Sequence, residues 1–231
     1  TDADHLDIYK TKEELLKNFN FFAQKVNKGG LLLLGDTAYI DTNRLHCKCF
    51  SYGLTEKCDY KAVKIFQENL NGVQSSVRYN FEFQSSVSVI SSMTMGMNGM
   101  HNIKNAIAAI AVAEYLGIKK EKIQKALEGF RGVKRRFEYV FNHGPLIYID
   151  DYAHHPSEID ACLNSVRGLF PDKKITAVFQ PHLFSRTRDF MDAFAQSLSA
   201  VNELKLLPVY PAREEPITGI DSGRLLEKVT L

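Results

Sequence analysis

From Phe137 to Val229 the chain reads as strands and helices in alternation, and this order restricts the fold more than any other feature of the sequence. Apolar runs at Leu146–Ile149, Ile175–Phe179 and Leu204–Val209 read as strands, as does Phe137–Phe141. Between and after them, Ser157–Leu169, Arg188–Ala200 and Ser222–Val229 read as helices. Such alternation implies parallel strands joined by helical crossovers, hence a Rossmann-like α/β sheet.

The preceding part has a different texture. Lys12–Val26 carries apolar residues at helical spacing, with Thr11 and Glu14 forming a capping box, and Gly29-Gly30 ends it. Leu31–Leu34 reads as a buried strand. Leu45–Tyr52, Ala62–Asn69, Gln74–Asn80 and Ser85–Met93 are β-type segments that suggest a mixed sheet, with their order left open. Helices follow over Met100–Leu116 and Lys120–Glu128. The polar stretch Lys134–Phe137 marks the expected boundary, with one domain over 1–134 and a second over 135–231.

Composition narrows the partners. Hydrophobic residues make up 45% and charged residues 24%, and the net charge is +2 with both signs interspersed. No basic stripe exists to match a phosphate backbone, so nucleic acid is not expected, while a small anion remains compatible. No apolar run approaches the roughly 18 residues of a membrane span. The sequence has neither an initial Met nor a secretory signal pattern, and we expect a cytoplasmic segment of a longer protein. Cys47 and Cys49 alternate along one strand face with no second Cys pair downstream, a pattern expected of reduced structural thiols rather than zinc ligands.

Ligands of doubly wound sheets gather beyond the carboxyl ends of the strands. Two such ends here run into dense polar clusters. Ile147-Tyr148-Ile149 leads into Asp150-Asp151-Tyr152-Ala153-His154-His155-Pro156, and Ala177-Val178-Phe179 leads into Gln180-Pro181-His182 and Ser185-Arg186-Thr187-Arg188-Asp189. Carboxylates and imidazoles at one strand end each need solvent or a partner. Paired arginines near a helix start suit phosphate or carboxylate. Either cluster alone could be a solvated loop with N-caps; two on successive strands point to a site. A third polar group opens the central helix at His101, Asn102 and Asn105, where the asparagines could cap the helix or face a purine.

Taken together, these segments resemble the Mur ligases. Gly99-x-His101-Asn102-x-x-Asn105-Ala106 is similar to the family's adenine-side motif, and Arg135-Arg136-Phe137 to the stretch that joins its central and C-terminal domains. Asp150-Asp151-Tyr152-Ala153-His154-His155-Pro156 resembles the muramate–alanine branch. Phe179-Gln180-Pro181-His182 with Ser185-Arg186-Thr187-Arg188-Asp189 does too, as does Tyr210-Pro211-Ala212-Arg213-Glu214-Glu215-Pro216. Asp4-His5-Leu6-Asp7 resembles the stretch whose His lies near the metal. Folyl-polyglutamate synthases share the architecture but not the double-His form.

The resemblance implies the remainder of a mixed-sheet, P-loop-type ATPase domain followed by a Rossmann-like C-terminal domain. It implies ATP- and Mg2+-dependent joining of L-alanine to UDP-N-acetylmuramate through an acyl phosphate. In that scheme His5 stands near magnesium, and His101, Asn102 and Asn105 face adenine. Arg136 and Asp151 lie at the nucleotide, while Tyr152, His154 and Arg186 hold the amino acid and acyl phosphate. Arg188 points to solvent or caps the loop. The phosphate-binding loop, the acidic magnesium motif and the UDP-binding domain are absent from this sequence, so the segment alone is expected to be inactive. Leu183 stands where many relatives carry Arg. A recycling ligase that attaches a tripeptide, and a non-catalytic nucleotide-binding module, are the alternatives.

Overall fold

The computed structural model describes residues 6–69, 77–97 and 99–231. The chain folds into two compact units, one formed by Leu16–Asp150 and the other by Asp151–Leu231 with the described residues up to Leu15.

The chain starts with α1 (Leu6–Tyr9) and α2 (Lys12–Ala23). Thr11 caps α2 as its spacing from Glu14 suggests, its hydroxyl accepting from the Glu14 amide at 3.2 Å. Strands β1 (Leu31–Gly35), β2 (Lys48–Gly53), β3 (Tyr60–Asn69), β4 (Val77–Gln84) and β5 (Val89–Met95) then form one sheet in chain order. β1, β2 and β3 are parallel neighbours, and β3–β4 and β4–β5 are antiparallel. The mixed sheet is thus realised, with shifted edges. Ser85–Ser88 is a turn closed by the Ser85 amide on the Ser88 carbonyl, because the serine hydroxyl takes over local donors that a strand would leave for its neighbour. Of the expected Gln74–Asn80 strand, 74–76 lie outside the described residues.

Tyr79, Phe81 and Phe83 alternate along β4 and bury one face. Across it lies α3 (Met100–Tyr115), which buries Ile103, Ala106, Ile107, Ile110 and Ala111 at helical spacing, and α4 (Lys120–Gly129) adds Ile123.

Polar contacts near both ends orient α3. Near its start the Lys104 ammonium meets the Asp36 carboxylate, just past β1, at 2.9 Å. Gly53 leaves room for that carboxylate, since a Cβ there would sit 2.5 Å from an Asp36 oxygen. At the far end the Glu114 carboxylate accepts from Ser85 and Ser88, and the Tyr115 hydroxyl donates to the Gly29 carbonyl at 3.0 Å. The helix therefore begins at the carboxyl end of the parallel strands.

β6 (Glu138–His143) and β7 (Leu146–Asp150) form an antiparallel hairpin that belongs to the first unit. In the second unit, β8 (Thr176–Phe179) and β9 (Glu203–Leu206) pair in parallel. Around them stand α5 (Pro156–Leu169), α6 (Phe184–Asp189), α7 (Met191–Leu198) and α8 (Ser222–Lys228). Ile159, Ile175, Phe179, Phe194, Leu198, Leu204 and Leu225 fill this second core. The single helix expected over Arg188–Ala200 is two helices. They meet at Phe190, whose backbone leaves the helical region at φ −118°, ψ 20° and whose ring packs edge-on against His155 with centroids 4.8 Å apart. Among the described residues no helix is long and apolar enough to cross a membrane.

Phe83 is fully buried, so Phe83→Ala is expected to destabilise the first unit by about 3–5 kcal/mol in urea unfolding. Val89→Ala on the exposed edge should stay within about 0.5 kcal/mol.

Candidate functional site

Capping does not account for the asparagines of α3. Its N-cap is Gly99, at φ 98°, ψ 132° and without a side-chain cap bond, a conformation open to glycine and strained for other residues. Asn102 is buried and its side-chain oxygen accepts from the exposed Asn105 amide at 3.4 Å. A polar group of His101, Asn102 and Asn105, with Asn105 at the surface, therefore sits at the carboxyl end of β1 and β2, the end at which such sheets bind ligands.

The link after α4 is held by its backbone. Arg135 and Phe137 have φ of 59° and 52°, and the Phe137 side chain is buried. The Arg135 amide donates to Glu138 at 2.8 Å and its guanidinium stands 3.6 Å from Asp150. Of the adjacent pairs, then, Arg135 meets Asp150, while Arg136 is exposed and its amide donates to Val133. Asp151 belongs to the second unit, where its carboxylate accepts from the Ala153 amide at 2.8 Å and tightens the loop. Burial, with the Asp151 charge second, pushes the Cys162 thiol up to about 12.

The two histidines that the sequence presents as a doublet have separate roles. His155 is buried; its Nδ1 lies 2.9 Å from the Ser157 hydroxyl and accepts from the Ser157 amide, so it caps α5. His154 turns the other way. Its Nδ1 lies 2.8 Å from the Tyr152 carbonyl, which can only accept, so that nitrogen carries a proton. The Glu158 carboxylate takes the His154 amide at 3.0 Å and approaches the ring at 3.4 Å. Tyr152 packs edge-on against the same ring at 5.1 Å.

Beyond β8 and β9 the pairing continues. His182 and Tyr210 form a parallel bridge and stack at 5.4 Å; the Leu183 amide donates to the Tyr210 carbonyl and the Tyr210 amide to Pro181. The Glu214 carboxylate then accepts the Ser185 amide at 2.9 Å and the Ser185 hydroxyl at 2.5 Å. This places Arg186 in α6, only 5% exposed, with its guanidinium donating to the His182 carbonyl at 3.4 Å. Leu183 is buried as well, at φ 73°. Arg188 points outward and pairs with Asp189 at 2.7 Å.

His182 is the electrostatic centre of this group. Burial first, then the charges of Arg186, His154 and Arg213, holds its imidazole below the usual range, with Glu214 opposing them. The structure thus brings His182, Arg186, Arg213 and Glu214 together past the ends of β8 and β9, with His154, just before α5, acting on the same imidazole. His154 and Arg186 are candidates from sequence; His182 and Glu214 lie inside the same motifs without an assigned role, and no local pattern distinguishes them.

A metal centre is not evident. Among the described residues no three His, Cys, Asp or Glu side chains converge to hold an ion, and His5 lies outside the described residues. Cys47 and Cys49 face the same way with sulfurs 3.8 Å apart.

The model of the Mur ligase middle domain matches residues 1–113, and that of the Mur ligase glutamate ligase domain matches 135–230. A UDP-N-acetylmuramate–L-alanine ligase of Cytophaga hutchinsonii is 41% identical over 99% of this chain and 47% of its own length. One from Christiangramia forsetii is 44% identical over 99% of this chain and 48% of its own. The chain spans about half the length of these relatives. The crystal structure of the UDP-N-acetylmuramate–alanine ligase of Thermotoga maritima superposes with a TM-score of 0.67 at 26% identity, covering 90% of this chain and 44% of that one. A MurF structure from Acinetobacter baumannii shares the fold, with a TM-score of 0.64 at 19% identity, over 89% of this chain and 48% of that one. With two of the family's domain models matched in sequence order and the fold shared with its solved members, this chain belongs to the Mur ligase family.

Proposed function

We propose that the chain is part of a cytoplasmic ligase that uses ATP to join L-alanine to UDP-N-acetylmuramate. The observation that carries this reading is the buried Arg186 beside His182, whose imidazole pKa is pulled below its ordinary value, with His154 just before α5 acting on the same ring. The choice of alanine and of the muramyl nucleotide follows from the names of the relatives that match nearly the whole chain.

In this reading the polar turn of α3 receives adenine, its exposed Asn105 amide and the buried Asn102 offering the paired donor and acceptor that a purine edge needs. The family resemblance offers Arg136 of the first unit, and separately Asp151 of the second, for the nucleotide. The γ-phosphoryl group passes to the lactoyl carboxylate, making an acyl phosphate and ADP. The alanine nitrogen then attacks the acyl carbon, the tetrahedral intermediate collapses, and inorganic phosphate departs with the electrons of the broken acyl C–O bond. Magnesium, when bound, neutralises phosphate charge. His5 is the residue that the family resemblance offers for it.

The protein's own groups position and neutralise. Arg186 presents a planar fork to carboxylate or phosphate oxygens. Because Nδ1 of His154 donates to a carbonyl, Nε2 is the ring nitrogen left for the alanine amine, and in this reading it takes the proton that the ammonium loses before attack. Tyr152 lies against that ring and fixes its plane.

The test is incorporation of labelled L-alanine by the full-length parent with ATP, magnesium and UDP-N-acetylmuramate. Arg186→Ala in that parent is expected to lower kcat/KM for alanine on the order of a hundredfold. A parent that ignores alanine and accepts a tripeptide would be the recycling ligase instead. A parent that consumes no ATP with either substrate would be no ligase.

A pH effect also follows from His182. The unfolded chain protonates this ring at a higher pH than the folded one, so its stabilising contribution is present above the ordinary imidazole value of about 6.5 and fades as pH falls below it. NMR titration should place its pKa below about 6.5. His182→Gln should flatten the fall in urea midpoint between about pH 7 and pH 5.

A further inference from the structure

We propose that Arg213 is the second anion-binding cation of the alanine site, holding the carboxylate of the incoming amino acid while Arg186 faces the acyl phosphate. This rests on the ligase reading above, because that chemistry brings two anionic groups to one place, the amino-acid carboxylate and the phosphoryl group. One buried guanidinium cannot be bidentate to both.

Few cations at these strand ends can serve. Leu183, between His182 and α6, is buried and carries no charge. Arg188 is turned to solvent and engaged by Asp189 at 2.7 Å. Burial and the neighbouring charges disfavour a cationic His182. Arg213 is exposed, yet its position is set by its neighbours on both sides. Tyr210, three residues before it, is bridged to His182, and Glu214, one residue after it, takes both the amide and the hydroxyl of Ser185. Ser185 in turn precedes Arg186. The two arginines are thus carried on segments fastened to each other by a carboxylate clamp, and Ala212 at φ 53° makes the sharp turn between the stack and the clamp. The charges of both arginines act on the His182 ring. An exposed guanidinium at the rim suits a substrate that arrives from solvent, and the buried one suits a group formed in place.

The test uses the full-length parent and steady-state kinetics with alanine as the varied substrate. Arg213→Ala is expected to raise KM for alanine about ten- to a hundredfold with kcat and the KM for ATP little changed. Arg213→Lys should recover part of the loss and Arg213→Glu should deepen it. Thermal unfolding of each variant checks that the fold survives. An unchanged KM for alanine in both the Ala and Glu variants, with the wild-type parent active, overturns the inference and leaves the ligase reading standing. Equal changes in all three substrates' KM would assign Arg213 a structural role and overturn it too. A wild-type parent that does not use alanine removes the ligase reading itself.

Discussion

The parallel pairing of β8 with β9 does not stop where the strands stop, and the second unit depends on that continuation. The bridge and ring stack between His182 and Tyr210, followed by the Glu214 clamp on Ser185, zip two loops that would otherwise be independent. Loops are ordinarily where backbone freedom is greatest. Here, the residues that leave the sheet on one strand find partners from the other, so Arg186 can be placed in a nearly water-free position without a long search for geometry. A charge buried in this way is costly unless its surroundings hold it. The surroundings here are short-range and local to one strand pair, which is a stable way to keep such a group in place.

The first unit applies the same logic to a helix. Burial of the apolar stripe on α3 would allow the helix to slide or reverse along the sheet, since hydrophobic contact is non-directional. The polar contacts at its two ends remove that freedom. Lys104 reaches Asp36 past the end of β1, and Glu114 is held by the two serines of the β4–β5 turn. Gly53 takes part without a side chain, because any Cβ there would displace the Asp36 carboxylate. As a result, the turn bearing His101, Asn102 and Asn105 is delivered to the carboxyl ends of parallel strands, where open α/β sheets leave room for a ligand.

The histidine doublet shows how little adjacency says about role. His154 and His155 are consecutive, yet one caps a helix against Ser157 and Phe190, and the other is oriented by Tyr152 and Glu158 towards the polar cluster. Consecutive residues in extended backbone point to opposite sides, so a pair of identical side chains entering a helix will usually meet two different environments. A related limit explains why the helix expected to start at Arg188 begins at Phe184 instead. Periodicity of apolar residues marks the part of a helix that packs, and α6 is bounded by contacts to the neighbouring loop that leave no periodic trace.

Much of this molecule was already legible in its residues. The alternation of strands and helices, the buried runs of α3 and β4, and the polar clusters at two strand ends follow from periodicity and burial, which are properties of short stretches of chain. Family membership was legible too, through motifs whose order along the chain is itself information. What the residues could not state was which polar groups meet. That Arg135 pairs with Asp150, that the N-cap of α3 is Gly99, that Leu183 is core, and that Glu214 fastens Ser185 from a distant loop were decided only by tertiary packing. The physical reason is range. Secondary structure is encoded within a few residues, whereas a hydrogen bond between strand-end loops depends on the register of the strands that carry them, and register is set by the whole sheet.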